Sequence, residues 1–298
     1  MPIVCGVPRS GTTMLRLLLD AHPELAIPPE TGFLGPLGSE TGPLPRSEMM
    51  RILTQTPAEA PAWPDFSLDR GGLEAALPPG PLVDRADGVR AFYRLYAGQH
   101  GKRRWGDKTP RNALALPQIA GLLPEARFIH LVRDARDVIA SWRRQWFAPS
   151  ADVAVLAREW CGTLAAVESA AAEGVPCIEV GFEALAGDPP RALREICRFI
   201  EIDYAPQMLE DDQRKARRLL EHRERRTRDG TVLVSLARRR EQQQHSSRPP
   251  DVGLVGRWRE LLTVREIEAI EAVAGRVLER RGYVVGEAAR RSTIPGSA

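Results

Sequence analysis

Pro2-Ile3-Val4-Cys5-Gly6-Val7-Pro8-Arg9-Ser10-Gly11-Thr12-Thr13-Met14-Leu15-Arg16-Leu17-Leu18-Leu19-Asp20 divides into three parts. Pro2 to Gly6 is a short apolar run with β-branched residues, halted by glycine and proline, and predicts a buried strand. Thr12 to Asp20 is leucine-rich and ends ahead of Pro23, which predicts a helix. The residues between, Gly6 to Thr13, have the G-x-x-x-x-G spacing of a phosphate loop in the strand-to-helix setting that this motif requires. Loop N–H groups and the positive end of the helix converge there on one anion, and Ser10, Thr12 and Thr13 add hydroxyl donors. In a nucleotide triphosphatase, a lysine after the second glycine reaches the β- and γ-phosphates. Here that residue is Thr12, so the ATPase reading loses its cation, and Arg9 offers a charge in its place. A nucleotide with one phosphate at its 5′ end has no β/γ pair and needs no Mg²⁺ to bridge it. A plain turn with capping threonines is the alternative, and the agreement of strand, loop and helix speaks against it.

Outward from this unit the same alternation continues. Ala126 to Val132 predicts a strand, followed by Arg133-Asp134-Ala135-Arg136-Asp137 and a helix from about Val138 through Gln145. Ala151 to Glu173 predicts a long helix, Val175 to Val180 a strand, and Pro190 to Ile200 another helix. Thr263 and Glu266 form a capping box opening a helix over 263–281. Strands alternating with helices of ten or more residues imply right-handed crossovers and a mainly parallel sheet. The fold class is therefore α/β: a single P-loop-like domain over 1–285 with a central, mainly parallel sheet flanked by helices, and a tail at 286–298. Residues 28 to 90 are rich in Pro and Gly and show no sustained period, only short helical patches such as Ser47 to Thr54. The expectation for 31–100 is an irregular lid or acceptor-side insertion. Residues 208 to 244 are arginine-rich and read as helical or mobile.

The 298 residues are 43% hydrophobic and 27% charged, with 25 Gly and 25 Pro, the make-up of a globular protein rather than a disordered or fibrous one. A net charge of +3 is too close to balance for a global polyanion-binding surface, so any anion site must be local. No apolar run approaches the ~20 residues that cross a bilayer, and Met1 to Val7 lacks the pattern of a leader, which predicts a cytoplasmic protein without a membrane span. Cys5, Cys161, Cys177 and Cys197 fit no Cys-x-x-Cys pairing, so neither zinc nor a disulfide framework is indicated. Only three of the 42 basic residues are lysines, Lys102, Lys108 and Lys215. A lysine inside a motif is then informative, because an ammonium and a guanidinium do different chemistry.

A second constellation is Arg133, just past a strand, with Ser141 eight residues on in the following helix. Ligands gather at strand ends of open parallel sheets, where an arginine can grip a phosphate with two N–H groups and a serine adds a donor. Taken alone, Arg133 to Asp137 reads as a salt-bridged helix start. Paired with the first loop it reads as a second anion pocket.

With both pockets in view, the sequence resembles the sulfotransferase superfamily that uses 3′-phosphoadenosine 5′-phosphosulfate (PAPS). Pro8-Arg9-Ser10-Gly11-Thr12-Thr13 is similar to its 5′-phosphosulfate loop, and Phe128 to Trp142, with Arg133 and Ser141, to its 3′-phosphate motif. Asp20-Ala21-His22-Pro23-Glu24, Pro29-Glu30-Thr31, Gly106-Asp107-Lys108-Thr109-Pro110 and Val255-Gly256-Arg257-Trp258-Arg259 resemble the branch holding the tyrosylprotein sulfotransferases and many bacterial enzymes. These islands span most of residues 1 to about 260.

The resemblance implies roles. Glu30 matches that branch's general base; the cytosolic branch instead uses a histidine soon after a Lys-Thr pair, where this chain has Pro110. Asp20 and Glu24 belong to the end of the first helix, and a solvated turn residue is the bland reading of Glu30. Lys108 and Arg9 match the cations that stabilise charge on the leaving phosphate, with pairing to Asp107 the bland reading of Lys108. Arg9, Ser10, Gly11, Thr12, Thr13, Arg133 and Ser141 match cofactor contacts. Arg257 matches a cofactor-binding lysine and Ser247 a serine that helps the transition state, although the gap between those two differs from the family's; Trp258 reads first as a core aromatic.

The basic run from Arg214 to Arg240 carries interspersed acids and no interleaved aromatic residues, which favours a solvated helix face over nucleic-acid binding. The implied activity is metal-free sulfuryl transfer from PAPS to a hydroxyl of a small molecule, glycan or peptide. A P-loop kinase and a catalytically silent nucleotide-binding module are the rivals, and a homodimer is compatible with the sequence.

Overall fold

A computed structural model describes residues 1–210, 212–243, 246 and 250–287. Four strands, β1 (Pro2–Cys5), β2 (Asp107–Lys108), β3 (Arg127–Val132) and β4 (Cys177–Gly181), form an all-parallel sheet in the order β2-β1-β3-β4. Ile3 lies opposite Asp107 and Phe128, Cys5 opposite His130, and Val132 opposite Gly181. β1 is wholly buried and β3 nearly so, which is why both read as continuous apolar runs rather than alternating ones. The order sets the site. The loop leaving β1 emerges between Lys108 at the end of β2 and Arg133 just beyond β3.

Helices α1 (Thr12–Asp20), α2 (Arg85–Gln99), α3 (Ala135–Trp142), α4 (Val153–Ala172), α5 (Pro189–Phe199), α6 (Asp212–Leu219), α7 (Leu236–Gln243) and α8 (Val264–Arg280) are the principal helices. α3 starts three residues before the expected Val138 and stops at Trp142, because the Asp134 side chain accepts from Arg136 N at 2.9 Å and caps it early. α4, α5 and β4 lie within two residues of their expected ends. Both halves of the Thr263/Glu266 capping box are present at α8.

One face of the sheet presents Ile3, Cys5 and Phe128 to residues from 31–100, among them Phe33, Phe66, Phe92 and Tyr93. Phe92 meets the rings of Phe33, Phe66 and Tyr93 edge-on at 5.1, 5.0 and 5.2 Å, the favoured aromatic geometry. The other face packs Val4, Ile129 and Leu131 on the leucines of α1 and on Leu193 and Ile196 of α5. A third cluster joins α3, α4 and α8 around Trp160 and Trp258.

The basic run from Arg214 to Arg240 follows the expected solvated helix face only in part. Between α6 and α7 runs an antiparallel ribbon, Arg225–Arg226 with Val232–Val234. Arg218 Nε and Nη2 donate to the two oxygens of Asp20 at 2.7 and 2.9 Å. Arg239 clamps Asp65 through two bonds of 2.8 and 2.9 Å, and Arg225 approaches the same carboxylate at 3.2 Å. Both acids are buried. These partners lie more than 150 positions apart, so no local spacing announces them, and these three arginines serve internal carboxylates while Arg217, Arg226, Arg228, Arg238 and Arg240 face solvent. Among the described residues no helix is long and apolar enough to cross a membrane.

Candidate active site

The loop after β1 is wound tightly. Gly6 has φ +145°, and a Cβ there would stand 2.5 Å from Leu131 O; Gly11 has φ +99°, and its Cβ would meet the Phe182 ring at 2.6 Å. Arg9 itself takes φ +77°, a strained region for a side-chain-bearing residue and one that clusters at binding sites. Gly6 N donates to Pro110 O and Ser10 N to Val7 O, each at 3.1 Å. Ser10 Oγ is buried and has no partner among the described residues.

At the end of β2, Lys108 Nζ donates to Glu30 Oε1 at 2.6 Å and to Thr13 Oγ1 at 3.2 Å. The Lys108 side chain is 3% exposed and that of Glu30 48%. Burial works against ionisation of Glu30, but the Lys108 ammonium beside it holds the carboxyl below the usual glutamate range. Burial likewise pulls Lys108 down while Glu30 pushes it back up. Asp107 turns the other way and does not pair with Lys108. Its Oδ1 accepts from Thr31 Oγ1 and Tyr93 OH at 2.7 Å each, its Oδ2 from Asn112 Nδ2 at 2.8 Å. Burial raises its pKa against those bonds. Because Asp107 grips Thr31 while Lys108 grips Glu30, two adjacent residues of one loop are held by two adjacent residues of a strand.

Beyond β3, the Arg133 guanidinium lies 4.3 Å over the Phe182 ring. Its Nη2 donates to Leu254 O and stands 3.4 Å from Asp137 Oδ2; its Nε is buried without a partner among the described residues. Ser141 Oγ accepts from Arg9 Nε at 3.0 Å, which joins the two anion loops, and Arg9 Nη2 reaches Gln242 O at 3.2 Å. Asp137 also accepts from Gly256 N and Trp258 N, both at 2.8 Å, so it ties the 254–258 loop to Arg133. Trp258 is buried beneath the Arg136 guanidinium, 4.0 Å from its ring, the core role read first for it.

Arg9, Gly11, Thr12, Thr13, Glu30, Arg133, Ser141 and Arg257 all line one cavity of about 1140 Å³. Ser10 and Lys108 are buried behind that wall. The Arg257 side chain has no hydrogen bond or ion pair among the described residues, and Ser247 lies outside them. Asp107 and Asp137 lie inside stretches that the sequence reading quoted, but it gave neither a place in the site. His222 and Arg225 also line the cavity and had no sequence signal, since they come from the arginine-rich stretch.

The family model described as Sulfotransferase family matches residues 3–206. This chain belongs to the sulfotransferase family. It is 30% identical over 221 residues to the nodulation protein NoeE of Sinorhizobium fredii, covering 69% of this chain and 48% of that protein. It is 26% identical over 222 residues to protein-tyrosine sulfotransferase 1 of Danio rerio, covering 72% and 57%. The chain thus spans about half the length of these two curated relatives. Its fold matches the solved sulfotransferase domain from the curacin biosynthetic pathway with a TM-score of 0.62 at 17% identity, covering 96% of this chain and 98% of that one.

Proposed function

We propose that this sulfotransferase moves the sulfuryl group of PAPS to a hydroxyl of its acceptor by in-line displacement. The carrying observation is the single cavity on which Glu30, held by Lys108 at 2.6 Å, and Arg9, bonded to Ser141 at 3.0 Å, open together with Arg133. The residues suit the nucleotide. A buried Ser10 Oγ and a buried Arg133 Nε lack partners among the described residues, and at Gly6 and Gly11 the loop leaves no room for a Cβ.

In this reading the phosphosulfate rests on the β1–α1 loop and the 3′-phosphate on Arg133 and Ser141, with Arg257 closing from the 254–258 loop. The acceptor oxygen forms its bond to sulfur as the bond from sulfur to the bridging phosphate oxygen breaks. The bond's electron pair leaves with 3′-phosphoadenosine 5′-phosphate (PAP), and Glu30 takes the hydroxyl proton. Lys108 and Arg9 face the charge that develops on the bridging oxygen. One such donor is worth on the order of 10² to 10³ in rate, and the base typically ~10² to 10⁴. Gly32, Gly35, Pro57 and Ala60 line the same cavity, which supports the 31–100 stretch as the acceptor side. Four free thiols fit a cytoplasmic enzyme.

The test is transfer itself. Incubation of cell extract with the protein and isotopically labelled PAPS should yield labelled sulfate esters by mass spectrometry, and Glu30→Gln should form them at least ~100-fold more slowly. Calorimetry should give PAP binding without added metal. Mg²⁺-dependent ATP turnover would favour a kinase, and PAP binding without transfer to anything a silent module.

A further inference from the structure

Between α6 and the ribbon, His222 is 6% exposed and lines the active-site cavity. Its Nδ1 stands 3.1 Å from Leu219 O. A carbonyl oxygen only accepts, so a neutral ring carries its proton on Nδ1 and leaves Nε2 as a bare lone pair. Burial, with Arg239, Arg16 and Lys108 nearby, holds the imidazole well below its ordinary pKa and hence neutral. Nε2 has no partner among the described residues.

A bare nitrogen repels phosphate and sulfuryl oxygens and suits only an O–H or N–H donor. On the C-terminal side of His222, Arg223 N donates to Asp65 Oδ1 at 2.8 Å and Arg225 Nη1 to Ala60 O at 3.3 Å, so the imidazole is tied to the 57–65 stretch that lines the cavity with Glu30 on the proposed acceptor side. The attacking hydroxyl has a single proton, and Glu30 takes it. We propose that His222 is an acceptor-binding residue whose Nε2 reads a second O–H or N–H donor beside the reacting hydroxyl, so that the acceptor class is a diol or an equivalent rather than an isolated hydroxyl. This rests on the reading of Glu30 as base, and it adds the chemistry of the acceptor.

The experiment uses the full chain and two probe pairs, catechol against phenol and trans-1,2-cyclohexanediol against cyclohexanol. In ¹⁵N-histidine spectra at pH 7, the His222 Nε2 signal, identified by its loss in His222→Asn, should be that of an unprotonated nitrogen. With PAP present it should move on addition of a diol but not of the matching mono-alcohol. With PAPS, one diol should exceed its mono-alcohol about tenfold in kcat/KM, the worth of one net hydrogen bond. His222→Asn, whose amide can still donate to Leu219 O, should bring that ratio to about one, and His222→Gln, with an amide oxygen near the Nε2 position, should restore it. A protonated Nε2, a signal unmoved by both diols, or a ratio untouched by His222→Asn overturns the proposal. Failure of the wild type to bind PAP would defeat the nucleotide reading instead, and the protonation state of Nε2 in the free chain would still judge His222.

Discussion

Lys108 Nζ bridges Glu30 Oε1 at 2.6 Å and Thr13 Oγ1 at 3.2 Å, so one buried ammonium joins the proposed base to the first turn of the helix after the phosphate loop. Because Lys108, helped by Arg225 and Arg239, holds Glu30 below the usual glutamate range against the opposing effect of burial, the base is already ionised at neutral pH. The acid limb of kcat/KM should therefore fall below the ordinary value of 4.5 and leave the profile flat from pH 8 down to about 5. Glu30→Gln should cut turnover at least ~100-fold with PAP affinity nearly unchanged. In Lys108→Met the nearest cation is lost while burial, Arg225 and Arg239 still act on Glu30, and the acid limb of the residual activity should move upward. A limb that stays in place would show that Lys108 does not set it.

Arg133 and Ser141 face the other end of the proposed nucleotide. Arg133→Ala and Ser141→Ala should weaken binding of PAP far more than binding of the analogue lacking its 3′-phosphate, by about 1.5 to 3 kcal/mol for a hydrogen bond to a charged group. Equal losses for both compounds in calorimetry would remove the 3′-phosphate from this pocket.

Gly6 is the loop position with least room, its missing Cβ falling 2.5 Å from Leu131 O at φ +145°. Gly6→Ala must displace backbone of β3, and the expected cost is roughly 1 to 3 kcal/mol. Thermal unfolding should show it, together with weaker PAP binding. A variant as stable as wild type would mean that β3 yields readily.

Asp20 is held by Arg218 at about pKa 2 against 3.8 for an ordinary aspartate, the pull of Arg218 and Lys102 exceeding the opposing effect of burial. A depressed carboxyl contributes stability that is complete above its unfolded pKa and disappears as pH falls through the folded one. Roughly 2 kcal/mol should therefore be lost between about pH 4 and 2. At neutral pH, Asp20→Asn removes one of the two carboxylates that hold the buried Arg218, which keeps Glu221, and should cost about 1.5 to 3 kcal/mol, while its deficit relative to wild type shrinks toward pH 2. Denaturant titrations at several pH values measure both.

The strand–loop–helix from Pro2 to Asp20, the Arg133/Ser141 pair and the α8 capping box were legible because each is written in neighbouring residues: apolar runs, glycine spacing, a cap three positions from its partner. The start of α3 was placed three residues late, at the apolar onset of Val138, because nothing in the apolar pattern announces the cap that Asp134 makes on Arg136 N.

The sequence by itself determined a parallel α/β sheet with a tight glycine turn between its first strand and first helix, since backbone preference and apolar periodicity act over a few residues at a time. Only the tertiary structure decided that Lys108 faces Glu30 and not Asp107, that Asp20 and Asp65 claim Arg218, Arg225 and Arg239, and that His222 reaches the cavity. Those choices rest on Coulomb attraction and desolvation between groups 80 to 200 positions apart, and such pairings take effect only once the chain has closed around them.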